Sequence, residues 1–168
     1  MKKIIVIGCP GSGKSTLSRK LHNITEIPLY HLDMMFWNED KTTVEKSVFL
    51  KRLSEVLIKD SWIIDGNFSS TMEWRMNECD TVIFLDYPTD VCLDGVEKRR
   101  GKPRGDIPWI ETEEDEEFTE FIKTFNVSRK PAILALLDKY KEKNILIFKS
   151  REEADRFLNE CEGKSEDR

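Results

Sequence analysis

The 168-residue chain has no apolar run approaching the ~20 residues of a membrane-spanning helix, no Cys-x-x-Cys pair and no surplus of positive charge. Each absence excludes something. The apolar stretch after Lys2-Lys3 breaks at once into Gly8-Cys9-Pro10-Gly11, so neither a membrane anchor nor a secretory signal is expected, and a cytoplasmic protein is. The four cysteines, Cys9, Cys79, Cys92 and Cys161, are too irregularly spaced for a zinc or dithiol site and read as reduced thiols. With 27 Lys and Arg against 32 Asp and Glu, the net charge of -5 argues against coating nucleic acid by bulk charge. No helix-turn-helix, zinc motif or basic helix stands out.

What is present suits one globular domain. Nine Phe, four Trp and three Tyr among 39% apolar residues supply a core, in a chain of single-domain length. Short apolar runs at 3–7, 27–32, 62–64, 81–85 and 145–148 read as strands. They are continuous rather than alternating, as expected of a parallel sheet covered on both faces. Between them the period becomes helical. Val44, Val48, Phe49, Leu53, Val56 and Leu57 trace one face after a candidate capping box of Thr42 and Glu45. Phe118, Phe121, Ile122 and Phe125 trace another, and Ala154, Phe157, Leu158 and Cys161 a third, with its own box of Ser150 and Glu153. Pro131 suits the first turn of a further helix. The alternation predicts a doubly wound α/β domain. The stretch 99–120 breaks the rhythm: it is basic with Gly and Pro, then acidic, and reads as a mobile flap.

One motif carries chemistry by itself. Gly8-Cys9-Pro10-Gly11-Ser12-Gly13-Lys14-Ser15 satisfies G-x-x-x-x-G-K-[ST] (the Walker A pattern), between a predicted strand and a predicted helix. Its glycines let the backbone curl so that successive N–H groups face phosphate oxygens, and the following helix adds its positive end. Lys14 is placed for the β- and γ-phosphates, Ser15 for Mg²⁺ and Thr16 for the α-phosphate. Pro10, Gly11, Ser12 and Gly13 complete the cradle. The expected ligands are therefore ATP and Mg²⁺. A second metal anchor is expected from a carboxylate ending a buried strand. Asp65, after Trp62-Ile63-Ile64, is preferred over Asp86, which reads as structural.

This arrangement resembles the adenylate-kinase-like small kinases, which include shikimate and nucleoside kinases. More closely it is similar to P-loop proteins described as adenylate-kinase-related or DNA topology modulation (FlaR-type) proteins. The matching stretches are Gly8 to Thr16, His31-Leu32-Asp33 with Trp37, Trp62 to Phe68, Thr81 to Pro88, and Arg99 with Arg104-Gly105-Asp106. The resemblance implies a P-loop NTPase three-layer α/β sandwich. Its five-stranded parallel sheet would have order 2-3-1-4-5, with an acceptor-binding section at about 33–61 and a short lid at about 99–115. It implies an acceptor site drawing on Asp33, Trp37, Gly66, Asn67 and Arg75, the last holding an anionic group. It also implies a lid arginine, Arg99, reaching the transferring phosphate. One departure is Gly95, which stands where adenylate kinases carry an earlier lid arginine.

Phosphoryl transfer asks for positive charge around the equatorial oxygens, and Arg99, Arg100 and Arg104 supply it on one short segment. Asp33 suits an acceptor hydroxyl, because a carboxylate can orient it and take its proton. Trp37 is a candidate to stack on a ring, whereas His31 reads as a packed strand residue. The expected activity is transfer of the γ-phosphoryl group of ATP to a nucleoside, nucleotide or hydroxylated metabolite. The alternative is a nucleotide-gated regulatory or DNA-topology-related NTPase. The sequence leaves the acceptor and the oligomeric state open.

Overall fold

A computed structural model describes residues 1–166. Five strands, β1 (Lys3–Gly8), β2 (Leu29–His31), β3 (Trp62–Asp65), β4 (Thr81–Leu85) and β5 (Asn144–Phe148), form one parallel sheet of order β2-β3-β1-β4-β5. The order and the three-layer α/β architecture are those expected. Ile4, Ile5, Val6 and Ile7 of the central strand are fully buried, as a strand sandwiched between two helical layers must be. At the β5 edge Asn144 and Ile147 are exposed, so the fifth apolar run is covered less completely than its composition implied.

Among the described residues there are eight helices, seven between strands and the last after β5: α1 (Lys14–Thr25), α2 (Leu32–Phe36), α3 (Lys46–Leu57), α4 (Ser69–Glu78), α5 (Thr89–Arg99), α6 (Glu116–Ser128), α7 (Lys130–Lys139) and α8 (Arg151–Glu166). The predicted stripes face inward in the main: Phe49, Leu53, Val56 and Leu57 of α3, Ile122 and Phe125 of α6, and Ala154 and Leu158 of α8 are buried, whereas Val48 is exposed and Val44 lies ahead of α3. Pro131 lies in the first turn of α7. The Ser150 box forms in altered shape: the Ser150 hydroxyl accepts from the Glu153 N–H at 3.3 Å, while the Glu153 carboxylate takes the N–H of Lys149 at 2.7 Å. The Thr42–Glu45 box does not form. Thr42 is drawn into a turn with Asp40 and Asn38, and α3 starts after an extended Glu45 without a side-chain cap.

Cys9, Cys79 and Cys92 are buried free thiols. No helix among the described residues is long and apolar enough to cross a membrane. The carboxyl ends of β1, β2 and β3 deliver Gly8, His31 and Asp65 to one edge of the sheet, where the site lies.

Candidate active site

At that edge a cleft of about 1140 Å³ is lined by residues of the P-loop, α2, the β3–α4 turn, the end of α5 and the irregular connection 100–115. The P-loop adopts the conformation its glycines permit: Gly11 and Gly13 have φ of 82° and 93°, in the left-handed region. Lys14 folds back over the loop and donates to the carbonyls of Gly8 at 2.9 Å and Cys9 at 3.2 Å. Burial lowers the Lys14 pKa, and the nearby Asp65 carboxylate opposes that shift. Pro10, Gly11, Gly13, Lys14, Ser15 and Thr16 line the cleft; Ser12 lies behind them, buried.

The loop is braced from three sides. Asn67 clamps Gly8, accepting from its N–H at 3.1 Å and donating to its carbonyl at 2.8 Å. Arg151, with its guanidinium over the Tyr87 ring, reaches the carbonyls of Gly11 and Ser12 at 3.4 Å each. The third brace is Gly95. A Cβ built there would stand 2.0 Å from the Gly11 carbonyl oxygen, and one on Gly11 would stand 2.0 Å from that of Cys92. Gly95 therefore lets α5 lie directly on the P-loop, and an arginine side chain has no room at that position.

Three carboxylates line the cleft beside the P-loop. Asp65, 4% exposed, accepts from His31 Nδ1 through Oδ1 at 2.9 Å, and its buried Oδ2 has no hydrogen-bond partner. The pairing follows from register, since His31 and Asp65 are opposed across β2 and β3. Asp33 sits in the first turn of α2 and faces the cleft without a hydrogen bond. Burial raises its pKa; Lys14 opposes this, while Asp65 and Asp106 reinforce it. Asp106, which lies in the irregular connection, is 5% exposed. It accepts from the Ser15 hydroxyl at 2.7 Å and from Arg104 at 3.0 and 2.5 Å. Burial works to raise its pKa, but the bonds from Arg104 and Ser15 prevail and bring it down to about 2.

The basic segment is held down rather than loose. Glu111 joins Arg104 (2.8 Å) to Arg99 (2.9 and 3.3 Å), and Arg99 lies over the Phe118 ring. Arg100 pairs with Glu97 and Glu114 nearer the surface. Trp109, three residues after Asp106, meets Trp37 edge to face with ring centroids 5.5 Å apart. The expected mobile flap is thus tied by ion pairs and an aromatic contact to both sides of the cleft.

Arg75 is the correction. It is fully buried, does not line the cleft, and donates to the carbonyls of Gly66 (3.0 Å), Asn67 and Phe68 (3.2 Å) and to the Thr71 hydroxyl (3.3 Å). Its guanidinium supports the turn that carries Gly66 and Asn67 and is not available to an acceptor's anionic group. Asp86 also has a structural partnership: Lys130 (2.8 Å) and Lys149 clasp it away from the cleft. Sequence reasoning passed over Asp106, Glu111 and Trp109. Asp106 entered only as part of the Arg104-Gly105-Asp106 stretch, with no role of its own, because the serine it holds lies ninety-one positions away.

The residues fit a triphosphate with Mg²⁺. The left-handed glycines shape the anion cradle, and Asp65 Oδ2 is a buried oxygen lacking a partner that a metal-bound water would supply. Among the described residues no three His, Cys, Asp or Glu side chains converge on one point as a cage. Mg²⁺ in nucleotide sites ordinarily takes one or two protein ligands, with phosphate and water completing the octahedron.

No protein-family model matches the chain, and none of the curated proteins matches it either. Solved structures do. A shikimate kinase from Acinetobacter baumannii in complex with shikimate superposes with TM-score 0.60 at 16% identity, over 98% of this chain and 94% of that one. A shikimate kinase from Bacteroides thetaiotaomicron gives TM-score 0.54 at 21% identity, over 97% of both chains. At such identities the likeness is one of fold: the chain shares the α/β fold, with its five-stranded parallel sheet, of these two shikimate kinases.

Proposed function

We propose that the protein is an ATP-dependent small-molecule kinase whose acceptor presents a hydroxyl group to Asp33. The observation that carries this reading is an unbonded, half-buried carboxylate placed with Lys14 at the mouth of a P-loop. A carboxylate kept there at the cost of desolvation has a use if it orients a hydroxyl and takes its proton.

In the proposed reaction the P-loop amides and Lys14 hold the triphosphate, and Ser15 with Asp65 would hold Mg²⁺. The metal, when bound, neutralises charge between the β- and γ-phosphates. Residues 99–115 act as the lid, with Arg99 and Arg104 lending positive charge to the γ-phosphoryl oxygens while Arg104 keeps its bonds to Asp106. Asp33 accepts the proton of the acceptor hydroxyl as that oxygen bonds to the γ-phosphorus. The bond to the bridging oxygen breaks, ADP leaves, and Asp33 returns its proton to water. Trp37, one helical turn after Asp33, offers an apolar wall for a flat or hydrocarbon face of the acceptor, and Trp109 extends it. With Arg75 turned inward, the acceptor needs no anionic group to be held. A nucleoside or a neutral hydroxylated metabolite therefore fits better than a nucleotide or a hydroxy acid.

The test is ADP release with ATP and Mg²⁺ across nucleosides, nucleoside monophosphates, hydroxy acids and polyols. At least one hydroxyl compound should raise turnover well above the acceptor-free rate, and Lys14→Ala should remove the increase. If no compound responds while duplex DNA alters ATP affinity, the regulatory alternative replaces this reading.

A further inference from the structure

The metal-site serine is engaged by a carboxylate from the far side of the cleft. Ser15 Oγ donates to Asp106 Oδ2 at 2.7 Å, whereas the strand-end carboxylate, Asp65, spends one oxygen on His31 and leaves the other without a partner. Resting on the nucleotide–Mg²⁺ reading above, we propose that Asp106 remains the acceptor of the Ser15 proton when Mg²⁺ is bound, so that metal binding and closure of residues 99–115 are one event.

The argument starts from the hydroxyl, which has one proton and two lone pairs. With its proton fixed on a carboxylate, its lone pairs can turn only toward the remaining directions, and the oxygen becomes a better ligand for a hard cation. Asp106 does this from a rigid position. Two bonds from Arg104 hold the carboxylate in place, Glu111 ties Arg104 to Arg99, and the aspartate is buried. A continuous chain of contacts thus runs Ser15–Asp106–Arg104–Glu111–Arg99. The division of labour follows: Asp65 Oδ2 is free for a metal-bound water, and Asp106 orients the serine that ligates directly. Asp106 is a positioning residue, and it belongs to the segment that also carries the arginines. A metal-loaded Ser15 therefore favours the closed segment, and an open segment weakens the metal.

The experiment uses the full chain and a non-hydrolysable ATP analogue, titrated calorimetrically with Mg²⁺ or with EDTA, and followed by tryptophan emission. In the wild type Mg²⁺ should tighten binding and shift an emission component that Trp109→Phe removes. In Asp106→Ala the metal-free analogue should bind at least as tightly as in wild type, because Arg104 is released. The gain from Mg²⁺ should fall by roughly tenfold, the order expected for one charge-assisted hydrogen bond, and the emission shift should vanish. Asp106→Asn, which keeps the shape and an acceptor oxygen, should lie between, and it substitutes if Asp106→Ala does not fold. An undiminished Mg²⁺ gain in folded Asp106 variants overturns the proposal, as does a lost gain with the emission shift intact. Absence of any analogue binding by the wild type would instead overturn the nucleotide reading on which it rests.

Discussion

Gly95 and Gly11 meet backbone to backbone, with 2.0 Å between the position of a Cβ on Gly95 and the Gly11 carbonyl oxygen. A methyl group there must push α5 off the phosphate loop. Although alanine is the better helix former, Gly95→Ala should lower stability by about 1–3 kcal/mol, the usual cost of overpacking. It should weaken ATP binding alongside. Thermal melting and calorimetry check this; a Gly95→Ala protein that melts higher and binds as well would show that α5 and the loop yield freely.

On the proposed kinase reading, Asp33 should set the acid side of the activity profile. Burial raises its pKa above the ordinary 3.8, so the ionised base is lost on acidification at a higher pH than for a solvated carboxylate. kcat/KM should fall with an acid limb displaced upward, and Asp33→Asn should reduce kcat by roughly 100-fold or more. Stability has the opposite sign. A raised pKa means the fold favours the neutral form, a contribution present below 3.8 and lost as pH rises through the raised value. Asp33→Asn should therefore melt higher than wild type at neutral pH while losing activity.

Asp65 and Asp86 both end apolar strands, and they should separate cleanly on substitution. Asp65→Asn should raise the Mg²⁺ concentration needed for half-maximal turnover, because it weakens the only buried carboxylate oxygen without a partner among the described residues. Asp86→Asn should leave that concentration unchanged. It should cost about 1–3 kcal/mol of stability, since Lys130 and Lys149 lose the charge they share. Equal metal dependence in the two variants would contradict the assignment.

Arg75→Met should act through the turn that it holds. Carbonyls of Gly66, Asn67 and Phe68 lose a buried donor, at about 1–3 kcal/mol for each left unsatisfied. Asn67, no longer fixed, should release Gly8, so nucleotide affinity falls together with melting temperature. A variant of wild-type stability with an impaired KM for the acceptor alone would restore Arg75 to the acceptor site.

Acid should also loosen residues 99–115. The Asp106 carboxyl is held at about 2 against an ordinary 3.8, so its contribution is present above 3.8 and is lost as pH falls from there toward 2. Emission from Trp109 should change in that window, and in Asp106→Asn the change should be absent.

The sheet and the phosphate loop were legible because their signals are local. Lys3 to Ser15 holds a β-branched run, a glycine pattern and a helix start within thirteen consecutive positions. The carboxyl cluster was legible in part, since Asp33 and Asp65 each follow an apolar run. Asp106 was not, because what gives it meaning is a serine ninety-one positions earlier and an irregular connection with no period to read. Arg75 carried a signal that went unused. Thr71, Met72, Arg75 and Met76 recur at helical spacing along the buried face of α4, and an arginine within such a stripe points into the protein. The Thr42 box failed because a serine or threonine hydroxyl can close a turn as readily as it caps a helix.

The placement of β1 in mid-sheet has a consequence for synthesis. Its two neighbours, β3 and β4, lie at Trp62–Asp65 and Thr81–Leu85, so the strand bearing the phosphate loop emerges from the ribosome with no partner on either side. Nor does the Asn67 clamp exist until those later residues have been made. A nascent chain halted before residue 85 should retain no grip on nucleotide, however complete its glycine-rich motif.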